Sequence, residues 1–411
     1  MLELYSQSQT EFFFFICEIY RLTTFNYCLL LFFAKKSVFL CFYLQLFNVL
    51  IYNYRMYFRQ MLEPPSALVK NGHALFGTFA GHVSQLDIRG LHSPFGGVPL
   101  PVFISNFRIK SSLLFNFNAG PYQGLISFFD NKMFGLVEID LWNKENGRKY
   151  VYRNLMGPRH RFIPHNLEQG FCASFNPRRY VRISWDHKRD RISIIFNLKG
   201  TSGSPSVQAA LTGHFSDPAS NEVTQCVPLK SRRRCCATYV TSQKLRGTLT
   251  IGKTKKSAGQ VINVENETSV FSIKRAYYGY RTQEQKIFAS GDFKGKSISF
   301  VLNNSLDSVS LQEAVNQNVL MVDGNCTTLP PVKMTQPFGV NKKWIIQDTE
   351  NMVDLTFVPV SRIYRELSLF AFKIVVLNLY GKFEGVFKTK DGEDITVSGF
   401  GGLAREQLLR V

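Results

Sequence analysis

The strongest constraint in this chain is the stretch Lys382–Ser398, where two runs of alternating character meet at Asp391-Gly392. Phe383, Gly385 and Phe387 share one face going in, and Ile395 and Val397 share one face coming out. Side chains in a strand alternate between faces with period two, and Asp-Gly supplies the positive φ angles of a two-residue type I′ turn. The stretch therefore predicts a hairpin with one buried face. The same grammar recurs upstream. Val137, Ile139 and Leu141 alternate with Glu138 and Asp140, and Asn146-Gly147 turns that run back into Lys149–Arg153. Val181, Ile183 and Trp185 alternate with Arg182, Ser184 and Asp186, with a partner at Ser193–Leu198 across a charged turn. Val102–Ile104 reads as the first committed strand, and Thr248–Ile251, Ser269–Ile273, Ser297–Leu302, Val319–Val322 and Trp344–Ile346 continue the series. Outside the apolar N-terminal extension, whose Val38–Tyr54 run reads as a borderline membrane helix, only Arg362–Lys373 suggests a helix. About 350 residues of short strands predict an all-β protein of two consecutive antiparallel barrels or sandwiches.

The first 60 residues are a different material. They lack Gly, Pro, Asp and Trp, and 18 of them are Phe or Tyr. The longest apolar run, Val38–Tyr54, lies between Lys35-Lys36 and Arg55 and is borderline for a span of ~20 residues. Two readings stand: a membrane-associated segment, or in-frame translation of AT-rich sequence ahead of a start at Met61. Localisation follows, at a membrane in the first case and cytoplasmic in the second. Beyond Met61, a Gly-, Ser- and Pro-rich stretch at Gly200–Asn221 divides the chain into domains at 61–215 and 216–411.

The net charge is +19, which implies attraction to phosphates or anionic lipid and says nothing about fold. Eight Cys occur without a C-x-x-C pair, which predicts free thiols in a reducing compartment. No phosphate loop, dinucleotide fingerprint, H-E-x-x-H or nucleophile elbow is present. The seven His never fall at ligand spacing with another His or Cys, so no metal and no cofactor is predicted. One constellation stands out. Between Arg148 and Arg191, eleven Lys or Arg face three acids and interleave with Phe171, Phe175, Tyr180 and Trp185. Alternation places those aromatics in the core and Arg178, Arg179 and Arg182 on a basic surface, joined by the knot Arg232, Arg233 and Arg234. Such a surface suits an anionic lipid headgroup and, less well, RNA.

In the second half, Trp344, the run Asp354-Leu355-Thr356-Phe357-x-Pro359, Gly381-x-Phe383-x-Gly385, Asp391-Gly392 and Gly399-Phe400-Gly401-Gly402 follow one another in order. Val322-Asp323-Gly324, with Glu313 and Asn316 upstream, Val227-Pro228 to Gly247, and Glu63-Pro64-Pro65 to Gly81 extend the series. This series resembles the domain-of-unknown-function (DUF) 2804 family over roughly 62–411. The family has no established activity. Its layout is remotely similar to the two-barrel, lipocalin-like carotenoid hydratases and tocopherol cyclases, which implies an apolar ligand within a β-barrel. A family run of the form D-x-x-R-G-x-W-P-Y aligns with Ser272–Tyr280, so the acid is replaced by Ser272, the Gly by Ala276 and the Trp by Tyr278. A hydroxyl cannot protonate an alkene as a carboxylic acid can.

The sequence thus predicts a protein that binds an apolar or amphipathic ligand without catalysis. Arg275, Tyr278, Tyr280, Asn303, Glu313 and Trp344 are its candidate ligand-binding residues. The alternatives are a lipid- or isoprenoid-modifying enzyme, for which Glu284 would have to supply the acid, and an RNA-binding protein using the Arg148–Arg191 surface.

Overall fold

The computed structural model describes residues 59–96, 100–158, 162–201, 203–229, 231–253, 259–305, 315–369 and 372–410. The chain is all-β around two large antiparallel sheets, with the six-residue Val102–Phe107 as the α-helix of the described residues. The first sheet has twelve strands. Its main path runs from Lys149–Met156 through Gly135–Asn143, Tyr122–Asp130 and Ile109–Ala119 to Gln260–Tyr277. It continues through Ser231–Ile251, Val207–Gly213, Arg191–Leu198 and Arg179–Asp186 to Gln169–Asn176. Asn221–Leu229 and Gly77–Ala80 branch from Ser231–Ile251. The two end strands approach each other, Asn154 Nδ2 donating to Ser174 Oγ at 2.5 Å, so the sheet curls into a near-closed barrel. The second sheet has nine strands between Arg281 and Arg410, centred on Arg281–Phe293, Asp394–Arg410, Phe372–Lys388 and Val353–Leu369.

Alternation explains most of this. Val181, Ile183 and Trp185 are buried and Arg182 is exposed, in register with Arg191–Leu198 through the pair Arg191↔Asp186. The opening hairpin is present too, with Phe383, Phe387, Ile395 and Val397 buried together. Its turn differs from the expectation. Lys388 pairs with Asp394, Thr389 N–H donates to Glu393 O, and only Gly392 of the Asp-Gly pair has positive φ (+83°). The two-residue type I′ geometry appears instead at Asp323-Gly324, where both φ angles are positive and Val322 pairs with Asn325.

Two element assignments are corrected. Val102–Ile104 begins a helix rather than a strand, since Pro101 opens a turn whose carbonyl accepts from Ile104 and Ser105 N–H. Over its described residues, Arg362–Lys373 carries strand instead of helix, Arg362–Leu369 pairing antiparallel with 372–379. The described fold belongs to one compact unit, Phe58–Val411, and the 1–60 segment, apart from Arg59 and Gln60, lies outside the described residues. Arg59 is itself buried and ion-paired with Glu350. Among the described residues no helix is long and apolar enough to cross a membrane.

Sheet membership changes between Tyr277 and Arg281, well past the Gly200–Asn221 stretch, because Val207–Gly213 pairs on both sides within the first sheet. Gln260–Tyr277 accounts for this. Its Phe271, Ile273 and Tyr277 enter the first barrel's core, while Val270 and Ala276 join apolar clusters shared with second-sheet residues such as Phe288 and Leu409. A strand covered on both faces has no solvent-facing row to mark its alternation, and this one buries Ser269, Ser272, Lys274 and Arg275 among its apolar residues.

Candidate functional site

One end of the first barrel concentrates cations beneath exposed apolar side chains. The helix Val102–Phe107 leads into the strand Ile109–Ala119, and its side chains point largely into solvent: Phe103 is 73% exposed and Val102 69%. A soluble surface seldom leaves such residues contiguous without a partner. Directly below, Lys110 is buried. Its Nζ donates to Phe107 O and Asn131 O, each at 3.1 Å, and lies 4.3 Å from the Phe107 ring centroid. Burial, followed by the charges of Arg108 and Lys132, pushes its pKa down to about 7.

Around it the barrel supplies more positive charge. Arg108 and Arg234 lie over the same Phe95 ring, at 5.7 and 5.5 Å. Burial and the neighbouring Arg234 lower the Arg108 pKa. Lys132, whose ammonium bonds Asn106 O, is also lowered by burial. Arg275 reaches down from the barrel wall to Ile163 O at 2.5 Å, and burial pushes its pKa to about 10 although Asp87 and Asp130 pull the other way. Two acids counter these cations. Asp87 is forked to Arg89, Nε to Oδ2 at 2.9 Å, while burial raises the pKa of Asp130, which accepts from Lys132 N–H at 2.7 Å. Arg89, Arg108, Lys110, Lys132, Arg234 and Arg275 therefore face Asp87 and Asp130. Arg234 Nε, Arg275 Nε and both side-chain polar atoms of Asn131 are buried without a partner. Partly desolvated cations in excess, with unused donors, favour an incoming anion.

Of the sequence candidates, this end gathers Arg275 and Arg234. Tyr278 is buried, with Lys274 Nζ 5.9 Å from its ring centroid. Tyr280 is exposed and accepts from Arg410 Nε at 2.6 Å. Asn303 lies in the second sheet and donates to Gln317 Oε1 at 2.5 Å. Trp344 is a core residue whose Nε1–H donates to Val340 O. Glu313 and the Arg232 side chain lie outside the described residues. Arg178 and Arg233 are exposed, Arg179 bonds Arg153 O, and Arg182 lies over Phe171 at 5.1 Å. Phe171 and Phe175, predicted as core, are instead 57% and 72% exposed on the same outer face as Arg182. Sequence reasoning missed Arg89, Arg108, Lys110 and Lys132. The signal available was Arg108-x-Lys110 directly after an apolar run.

Glu284 is also placed by the structure. Burial raises its pKa, but Lys274, bonded at 2.6 Å, outweighs that and holds it below the ordinary carboxylate range. It is a paired carboxylate rather than a proton donor. Ser272 Oγ is buried without a partner, one residue out of phase with the core-facing Phe271 and Ile273.

Two large, curled antiparallel sheets in one chain define an all-β protein of two barrel-like units. The chain matches the family described as domain of unknown function (DUF2804) over residues 104–410, and it belongs to that family. No curated protein matches it. Among solved structures, the kievitone hydratase from Nectria haematococca is similar over 85% of this chain and 98% of that one, with 9% identity and a TM-score of 0.43.

Proposed function

We propose that the protein binds an anionic amphiphile at the helix-capped end of the first barrel, without turning it over. The observation that carries this reading is the exposure of Val102, Phe103 and Phe107 on a helix whose Phe107 and Asn106 carbonyls accept from Lys110 and Lys132, with Arg108 and Arg234 together over Phe95 nearby. An acyl chain laid on the helix would bury apolar surface at ~25 cal/mol per Å². An acidic head group among Arg108, Lys110, Arg234 and Arg275 would neutralise charge that burial already disfavours. Nucleic acid fits this end less well. Phe95 already carries Arg108 and Arg234 over its ring and Phe107 carries Lys110, which leaves Phe103 as the one open aromatic face of the helix, short of the series of rings that successive bases need. The binding-only reading is supported by the two positions the sequence offered for a proton donor: Ser272 is a hydroxyl, and Glu284 is ion-paired with Lys274.

The test compares oleate with oleyl alcohol, which keeps the chain and removes the charge, by calorimetry and native mass spectrometry on the full-length protein. Oleate is expected to bind one molecule per chain, at least ~10-fold more tightly than the alcohol, and to be recovered with its mass unchanged. Phe103→Asp and Arg234→Gln should each weaken it. Equal binding of the two ligands, or flotation with phosphatidylserine vesicles without any binding of monomeric oleate, would overturn the reading.

A further inference from the structure

Away from that end, the first sheet brings together three residues that the sequence keeps far apart. His82 follows the strand Gly77–Ala80, His187 opens the turn between Arg179–Asp186 and Arg191–Leu198, and Glu222 lies at the start of Asn221–Leu229. His82 Nδ1 is 2.9 Å from Glu222 Oε2, and His187 Nε2 is 3.3 Å from Glu222 Oε1. One potential ligand atom from each residue falls within 4.8 Å of the others. The two imidazoles stack at 3.8 Å with 29° between their planes, and Phe215 stacks on the other side of His187 at 4.0 Å. Tyr239, fully buried, brings its hydroxyl to 3.4 Å from His187 Nε2.

We propose that His82 Nδ1, His187 Nε2 and the Glu222 carboxylate form a binding site for one divalent transition-metal ion, with Zn²⁺ the best match to two imidazoles and a carboxylate. A tetrahedral ion with bonds of ~2.1 Å needs ligand atoms about 3.4 Å apart, and the 2.9 and 3.3 Å separations lie close to that edge.

The surroundings fit. Glu168 Oε1 lies 3.4 Å from His82 Nε2, where a carboxylate orients a ligating imidazole and fixes its tautomer. His187 Nδ1 is buried and has no such acceptor, so one of the two imidazoles is less well buttressed. Three protein ligands leave a fourth position for water, beside the Tyr239 hydroxyl. The side chains of His82 and Glu222 are 26% and 14% exposed, which gives an ion a route in. The separation of 140 positions from His82 to Glu222 is why no ligand spacing appears in the sequence.

The experiment uses full-length protein stripped with a chelator and dialysed. Zn²⁺ is titrated calorimetrically, and Co²⁺ is followed by its visible d–d absorption. One ion per chain and a tetrahedral-type Co²⁺ band are expected. His82→Gln, a change at a partly exposed side chain, and His187→Gln should each lower affinity at least ~100-fold and abolish the band. Glu168→Gln should weaken binding by about 10–100-fold while keeping the stoichiometry. Melting of each metal-free variant establishes that it is folded, and if His187→Gln fails that control His82→Gln decides. Absence of binding, or binding unchanged in folded His82→Gln, would overturn the proposal.

Discussion

Lys110 shows how a single residue ties fold to ligand. It is fixed between Phe107 O and Asn131 O, and burial brings its pKa to about 7. In the unliganded protein it is charged below that pH and increasingly neutral above it. An anion recruits the charged form, so binding above pH 7 takes up a proton. Affinity for oleate is expected to fall as pH rises from 7 to 9, by up to ~10-fold per unit for one linked proton. Lys110→Met should flatten that dependence, and a wild-type profile flat across the interval would remove Lys110 from the site. Little of this was readable beforehand. Arg275 and Arg234 were marked by their surroundings in the sequence, whereas Lys110 sits in a Phe-rich strand where a lone Lys reads as solvent-facing. Phe171 and Phe175 failed the opposite way, because alternation gives two faces without saying which is covered.

At the scale of elements, alternation was enough to find strands and not enough to find turns or the helix. Asp391-Gly392 and Asn146-Gly147 both mark real hairpins, yet each has positive φ only at its Gly, as a longer loop requires. The helix Val102–Phe107 was hidden by its β-branched and aromatic residues, which favour strand until Pro101 sets the first turn. The long strands were underestimated as well. Val353–Leu369 and Phe372–Lys388 change register near Pro359/Ser361, Phe372–Lys388 and Asp394–Arg410 near Phe383/Gly385, and bulges interrupt the period-two pattern. Gly385 makes one of these irregularities testable. Its φ is +138°, and an added Cβ would lie 2.0 Å from Asp354 O. Gly385→Ala is expected to destabilise the protein by about 3 kcal/mol, read as a lower midpoint in urea with an unchanged slope. A loss below about 0.5 kcal/mol would show that the neighbouring backbone moves aside freely.

At the scale of the whole molecule, the two sheets meet through a mixed interface. Leu114, Trp142 and Val240 of the first pack with Phe288, Ile363 and Leu403 of the second. Between these apolar contacts run polar ones: Arg365 Nη1 to Glu138 Oε2 at 2.6 Å, Asn378 Nδ2 to Asp140 Oδ2 at 2.8 Å, and Asn118 Nδ2 to Ser290 O at 2.6 Å. Alternation predicted the outward face of 135–143 correctly, with Glu138 and Asp140 opposite Val137, Ile139 and Leu141. A single strand could not reveal that the outward face would be buried by a second barrel. Asp140 bears the consequence. Burial, and then the nearby Glu138 charge, push its pKa well above the ordinary value, while the Asn378 bond and Arg365 only partly offset them. Its Oδ1 is buried without a partner. A carboxyl raised in the folded state binds more protons folded than unfolded, so its contribution falls as pH rises from about 4 through the folded pKa. Asp140→Asn keeps the shape and an oxygen for Asn378 while removing the charge. The variant is expected to melt above wild type at pH 7–8, with the difference closing as pH falls below about 4, where the native acid is protonated in both states. A variant that melts lower at pH 7–8 would mean that Arg365 and the surrounding dipoles hold the Asp140 charge favourably, with the interface relying on it.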